Sequence, residues 1–197
     1  MADDDAISGS VLAEQPEALV GFLRLYGTLW SHGRLPQSIK EVARLRNARV
    51  TDCAYCRSVR FEGAVAEGLT EDRVVRIDDD YAAADELTMR EKVAIRFTDH
   101  FLRDPGGFSD ADRAELLEHF DSGELVELAA GVALFMGFSK IAVALGPPPE
   151  MPTTVVPTPD WPPHSRVRSR SSAAPPSPRR RPRHPRGAPA RVRVRRR

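Results

Sequence analysis

Proline decides where this chain can be helical. Fourteen of its 17 prolines lie at or beyond Pro147, and only Pro16, Pro36 and Pro105 precede them. Inside a helix, proline removes a hydrogen bond and clashes with the preceding turn, so long helices are confined to residues 1–146. Charge divides at the same place. Residues 1–146 carry 16 Lys/Arg and 26 Asp/Glu, a net −10, whereas residues 147–197 carry 13 Arg, Glu150 and Asp160, a net +11. The formal +1 of the 197-residue chain therefore describes neither part. The pattern predicts a flexible acidic N-terminus over 1–15, a helical domain over 16–146 and a disordered basic Pro/Arg-rich tail over 147–197.

A body of this length can bury a core without disulfide staples. Met1-Ala-Asp-Asp-Asp lacks the basic and apolar regions of a signal peptide. The longest charge-free apolar stretch, Leu128 to Ser139, has 12 residues, short of the roughly 20 that a membrane span needs. The expectation is a soluble cytoplasmic protein with no membrane partner. Thirteen tail arginines could neutralise phosphates. The tail has no aromatic residue after Trp161 and no folded nucleic-acid motif, so nucleic acid is not the expected partner. Two other readings are a tail lying on the acidic body and a GC-rich stretch read out of phase.

Within the body, apolar spacing predicts helices throughout. Pro16 precedes Leu19, Phe22, Leu23, Tyr26 and Trp30 at helical intervals. Ser38-Ile-Lys-Glu41 reads as a capping box opening a second helix. Thr51-Asp52 offers an N-cap for a third, from Cys53 to Gly68, and Thr70 opens a short one through Ile77. Thr88-Met-Arg-Glu91 and Ser109-Asp-Ala-Asp112 announce two more. The segment Leu125–Leu145 is apolar nearly all round, which predicts a buried central helix. Its small residues Gly131, Ala133 and Gly137 suit a close neighbour, either within the core or in another subunit. No strand pattern precedes Pro147, so the expected fold class is all-α, with no sheet.

The only cysteines are Cys53 and Cys56. Spaced C-x-x-C, they can close a disulfide across one helical turn, and either is a nucleophile when ionised. A position at a helix N-terminus favours Cys53 as the more acidic thiol. Arg60, one turn beyond Cys56, would favour a Cys56 thiolate instead. Local reasoning does not rank the two. A pair of inert buried thiols and half a zinc site are the alternatives, but the histidines at 32, 100, 119, 164 and 184 have no ligand spacing. No metal or other cofactor is expected. Tyr55, between the cysteines, reads as a packing residue.

Glu41-x11-Cys53-Ala-Tyr-Cys56, followed by a helix ending at Gly68, resembles the alkylhydroperoxidase D-like group of the carboxymuconolactone decarboxylase superfamily. The likeness runs from about Gly21 to Gly146 and is most specific over Glu41–Gly68. The resemblance implies an all-helical, thiol-dependent antioxidant enzyme that assembles as a trimer or a multiple of one. It implies a hydroperoxide substrate and a thiol or dithiol reductant protein. Cys56 would attack the peroxide, Cys53 would donate a proton and then resolve the sulfenic acid, and Glu41 would belong to a proton relay. The family motif carries histidine where this chain has Arg60. Arginine stays charged near neutrality, so the expected substitute for shuttling is static stabilisation of the Cys56 thiolate, or a pair with Glu41. Competing functions are a non-catalytic redox sensor or assembly module, and carboxymuconolactone-type decarboxylation. Glu41 also has a purely structural reading, as the third residue of the Ser38 capping box.

Overall fold

Pro16 stands at the first position of helix α1, Pro16–Ser31, where its missing N–H costs nothing. In the computed structural model, which describes residues 11–145 and 151–160, seven further helices follow. They are α2 (Gln37–Val50), α3 (Ala54–Ser58), α4 (Glu62–Ala66), α5 (Glu71–Val74), α6 (Met89–Arg103), α7 (Asp110–His119) and α8 (Ser122–Leu145). The Thr88 and Ser109 capping boxes are both formed, with Glu91 and Asp112 reaching back to the cap backbone. The fold is helical as expected. Everything described lies in one unit, Met1–His164, whereas the second, Ser165–Arg197, falls outside the described residues. The disorder expected over residues 161–197, and the flexibility expected over residues 1–10, also fall outside them.

Helix α2 is the hub, packed against α6, α8, α3 and α4. One core cluster joins Val42, Leu45, Val93, Ile95, Leu128 and Val132 across α2, α6 and α8. A second is mainly aromatic: Phe22, Tyr26 and Trp30 of α1 meet Phe61 and Phe135, with Tyr26 edge-on to Trp30, Phe61 and Phe135. The Trp30 ring packs against α8 at Gly131, where a Cβ would make ordinary contact at 3.4 Å. Helix α8 is buried along one stripe only: Leu128, Val132, Leu134 and Phe135 face inward, while Val126, Ile141 and Leu145 are exposed. Its 24 residues are long and apolar enough to cross a membrane by length and composition, a test that the charge-free count of 12 understated. Part of this helix nonetheless forms the core of the fold.

Three local expectations are corrected. The capping box at Ser38 does not form: α2 begins after Pro36, and the Ser38 N–H donates to Glu67. Glu41 is drawn away by a stronger partner, Arg44. The helix expected from Cys53 to Gly68 is broken, because Val59–Phe61 forms a strand, β1, between α3 and α4. The expectation of no sheet is corrected as well. β1 pairs in parallel with β2, Thr154–Val156, in the register Val59↔Thr154 to Phe61↔Val156. Residues 151–160 thus pack on the helical body: Val156 joins the aromatic cluster, and Thr158 Oγ1 accepts the Gly63 N–H at 2.9 Å. Ser31 donates to the Pro159 carbonyl, and His32 meets Asp160 at 3.1 Å.

Candidate functional site

The cysteines are placed by the way α2 ends. Asp52 takes a positive φ of 52°, a conformation that Asp tolerates better than most residues. The Asp52 N–H returns to Arg49 O at 3.2 Å and the Cys53 N–H to Ala48 O at 3.0 Å, the paired bonds of a Schellman turn. That turn fixes Cys53 against the last turn of α2 and starts α3 one residue later. Cys53 is the N-cap of α3, its sulfur accepting the Cys56 N–H at 3.3 Å. The two sulfurs are joined in a disulfide with Cα atoms 5.2 Å apart. Cys53 is fully buried, and Cys56 is half-buried. Because α3 has only five residues, the dipole argument favouring Cys53 loses most of its force.

Beneath the cysteines, α2 presents Glu41, Arg44 and Asn47 on one face, three residues apart. Glu41 is fully buried. Its carboxylate accepts Arg44 Nε and Nη2, each at 2.7 Å, and the Phe61 N–H at 3.3 Å. The same guanidinium donates to the Cys56 carbonyl and to the Val59 carbonyl, both at 2.6 Å. Burial acts to lower the Arg44 pKa, but the Glu41 charge and hydrogen bonds outweigh it and raise the pKa above the ordinary arginine value. Arg44 therefore stays charged, ties Glu41 down and grips the chain on both sides of Arg57–Ser58. Its guanidinium also lies 5.0 Å over the Phe61 ring. Asn47, fully buried, donates to Ser139 Oγ at 3.4 Å, and Ser139 Oγ lies 3.6 Å from Cys56 Sγ.

The four residues singled out from the sequence are thus distributed unevenly. Cys53 and Cys56 are bonded to each other, and Glu41 reaches the cysteine segment through Arg44. Arg60 is not on a helix with Cys56, because β1 has replaced that helix. Its guanidinium pairs with Glu71 at 2.7 Å and donates to the carbonyls of Arg57 and Val59, so its hydrogen bonds join it to neither Glu41 nor the sulfurs. Arg44, Asn47 and Ser139 were missed. Nothing local sets the first two apart, because α2 carries Gln37, Ser38, Lys40, Arg46 and Arg49 as further polar residues. The clue to Ser139 is that it is the only hydroxyl in the apolar run from Leu125 to Leu145. Tyr55 packs against the aromatic cluster. Among the described residues, no group of three His, Cys, Asp or Glu is placed to hold a metal ion.

The site is a short helix carrying a C-x-x-C disulfide, laid across a buried carboxylate on a helical bundle. Residues 16–99 match the model of the carboxymuconolactone decarboxylase family. Solved structures with the same fold include a peroxidase-related protein from Silicibacter sp. TM1040, at 19% identity and TM-score 0.62, covering 74% of this chain and 75% of that one. Another is the alkylhydroperoxidase AhpD core of a peroxidase-related protein from Ralstonia eutropha JMP134, at 21% identity and TM-score 0.59, covering 70% and 73%. A third is the debrominase Bmp8, as a C82A variant with 2,3,4-tribromopyrrole, at 16% identity and TM-score 0.58, covering 70% and 73%. No curated protein matches the chain in sequence. Residues 16–99 are thus similar to the carboxymuconolactone decarboxylase family, and the helical fold is that of the AhpD-like structures above.

Proposed function

We propose that this protein is a thiol-dependent antioxidant oxidoreductase that reduces hydroperoxides, or exchanges disulfides, through Cys53 and Cys56. The observation that carries the reading is the unequal burial of two bonded cysteines: Cys53 is fully buried and Cys56 is half-buried. An outside oxidant reaches the more open sulfur first, which supports attack by Cys56 and resolution by Cys53. In the reduced protein, the Cys56 thiolate attacks the distal peroxide oxygen. The O–O bond breaks, the leaving alkoxide takes a proton, and Cys56 becomes a sulfenic acid. The Cys53 sulfur then displaces water to form the disulfide, and an external dithiol returns two electrons by exchange. The reductant would be a thiol or dithiol protein, and the working form a homo-oligomer in the cytoplasm.

The test follows hydroperoxide loss with a dithiol reductant in wild type, Cys56→Ser and Cys53→Ser. Turnover in wild type, none in C56S and a trapped sulfenic acid in C53S would support the assignment. Equal consumption by wild type and C56S would remove it. A second reading, a redox sensor without turnover, is favoured by the occupied Glu41 carboxylate, which Arg44 holds at 2.7 Å through two nitrogens. That reading expects one stoichiometric oxidation to the disulfide and no further consumption.

A further inference from the structure

Helix α8 contributes one polar side chain to the underside of the cysteine segment. Ser139 is 3% exposed, surrounded by apolar residues of its own helix, and its Oγ is 3.6 Å from Cys56 Sγ, within hydrogen-bond range for sulfur. The direction of the contact follows from its neighbours. Cys56 Sγ in the disulfide carries no hydrogen, so only the Ser139 hydroxyl can donate. On its other side, Ser139 Oγ accepts from Asn47 Nδ2, a group with nothing but hydrogens to offer. The chain of donors therefore runs from α2 through Asn47 and Ser139 to the sulfur. Asn47 is fully buried, and its Oδ1 has no hydrogen-bond partner among the described residues. The bond to Ser139 is the one that the Asn47 side chain makes among the described residues.

We propose that Ser139, oriented by Asn47, is a catalytic hydrogen-bond donor to the Cys56 sulfur, stabilising its thiolate. This rests on the reading of Cys56 as the attacking and leaving sulfur. A donor fixed beside it lowers the free energy of the thiolate both when it attacks peroxide and when it leaves the disulfide. The charged groups around the sulfur are already engaged. From α2, Arg44 is held by Glu41 and by the Cys56 carbonyl; from α3, Arg57 meets Asp52 at 3.1 Å; from β1, Arg60 meets Glu71. Lys140, next to Ser139 on α8, is exposed, and the ring of Tyr55 packs into the aromatic cluster. The hydroxyl of Ser139 reaches the sulfur from outside its own segment.

The test measures the alkylation rate of Cys56 against pH in the reduced full-length chain, with mass spectrometry separating Cys56 from Cys53. Hydrogen bonds to a charged group are worth enough to move a thiol by about one pH unit or more. Ser139→Ala is therefore expected to raise the Cys56 midpoint by that amount and to slow alkylation at pH 7 roughly tenfold. Ser139→Thr, which keeps the hydroxyl, is expected to titrate as wild type, and thermal melts of both variants report folding. An unshifted midpoint in S139A would overturn the assignment, as would equal shifts in folded S139A and S139T. No peroxide enters this measurement. A wild type that consumes no hydroperoxide would remove the proposed function, while a shift in S139A would still identify the donor.

Discussion

The buried pair between Arg44 and Glu41 offers the sharpest quantitative test of how the cysteine segment is held. Both side chains are essentially inaccessible, at 2% and 1%. Replacing Arg44 by Met keeps an unbranched apolar stem but removes four hydrogen bonds at once: two to the Glu41 carboxylate and one each to the carbonyls of Cys56 and Val59. Glu41 would retain only the Phe61 N–H, at 3.3 Å, among the bonds described. Removing one member of a buried pair typically costs about 3–5 kcal/mol, because the surviving charge is left uncompensated. For a domain of this size that lowers Tm by roughly 10 °C or more. The double variant Glu41→Gln/Arg44→Met removes both charges and is expected to recover at least half of the loss. Thermal melts of the oxidised wild type, both single variants and the double variant form a complete cycle. A loss under about 1 kcal/mol for R44M, or a double variant no better than R44M, would refute the claim that charge pairing dominates here.

Other outcomes follow from neighbouring features. Asp52→Gly is expected to stabilise the protein by roughly 0.5–1 kcal/mol and Asp52→Val to destabilise it, because the turn requires a positive φ; chemical denaturation measures both. Arg60→Ala is expected to lower stability by about 1–2 kcal/mol through the lost bonds to Glu71 and two carbonyls, while leaving the Cys56 alkylation profile unchanged. Truncation after Gly146 is expected to lower stability by about 1–3 kcal/mol, since it removes β2 and the half-buried Val156. Truncation after His164 is expected to melt as the full chain does. Hydrogen bonds from Ser109 hold the Asp112 carboxyl below its ordinary value. Its contribution to stability is thus present above the unfolded carboxylate pKa and lost as pH falls through the lower folded one; an NMR titration in Ser109→Ala should show the carboxyl rising.

What the sequence revealed follows the range of the interactions involved. The starts of α6 and α7 were legible because each cap is closed by residues three apart, Thr88 with Glu91 and Ser109 with Asp112. The same logic failed at Ser38, where Arg44, equally close in sequence, competes for Glu41 as a charge rather than as a backbone donor. β1 was hidden because three residues, Val59-Arg-Phe61, suit a helix and a strand alike, and its partner is remote. The C-x-x-C pair was visible from its spacing, and Glu41 only through the resemblance to the alkylhydroperoxidase D-like group. Arg44 was not, because an arginine in a helix ordinarily signals a solvated face. Ser139 and Cys56 are 83 residues apart, and no local pattern links them.

The parallel pairing of β1 with β2 also sets an order of events during synthesis. Gly63 and Thr158, at the far end of that pairing, are 95 residues apart. At 5–20 residues per second, a ribosome needs about 5–20 s to cover that distance. The two cysteines are therefore made before both Ser139 and β2, the strand that pairs with the segment following them. Choosing the correct sulfur partner needs only a three-residue separation, so it does not wait for the rest of the chain. The pairing of β1 and the contact of Cys56 with Ser139 do wait, since both join the segment to residues at least 83 positions later in the chain.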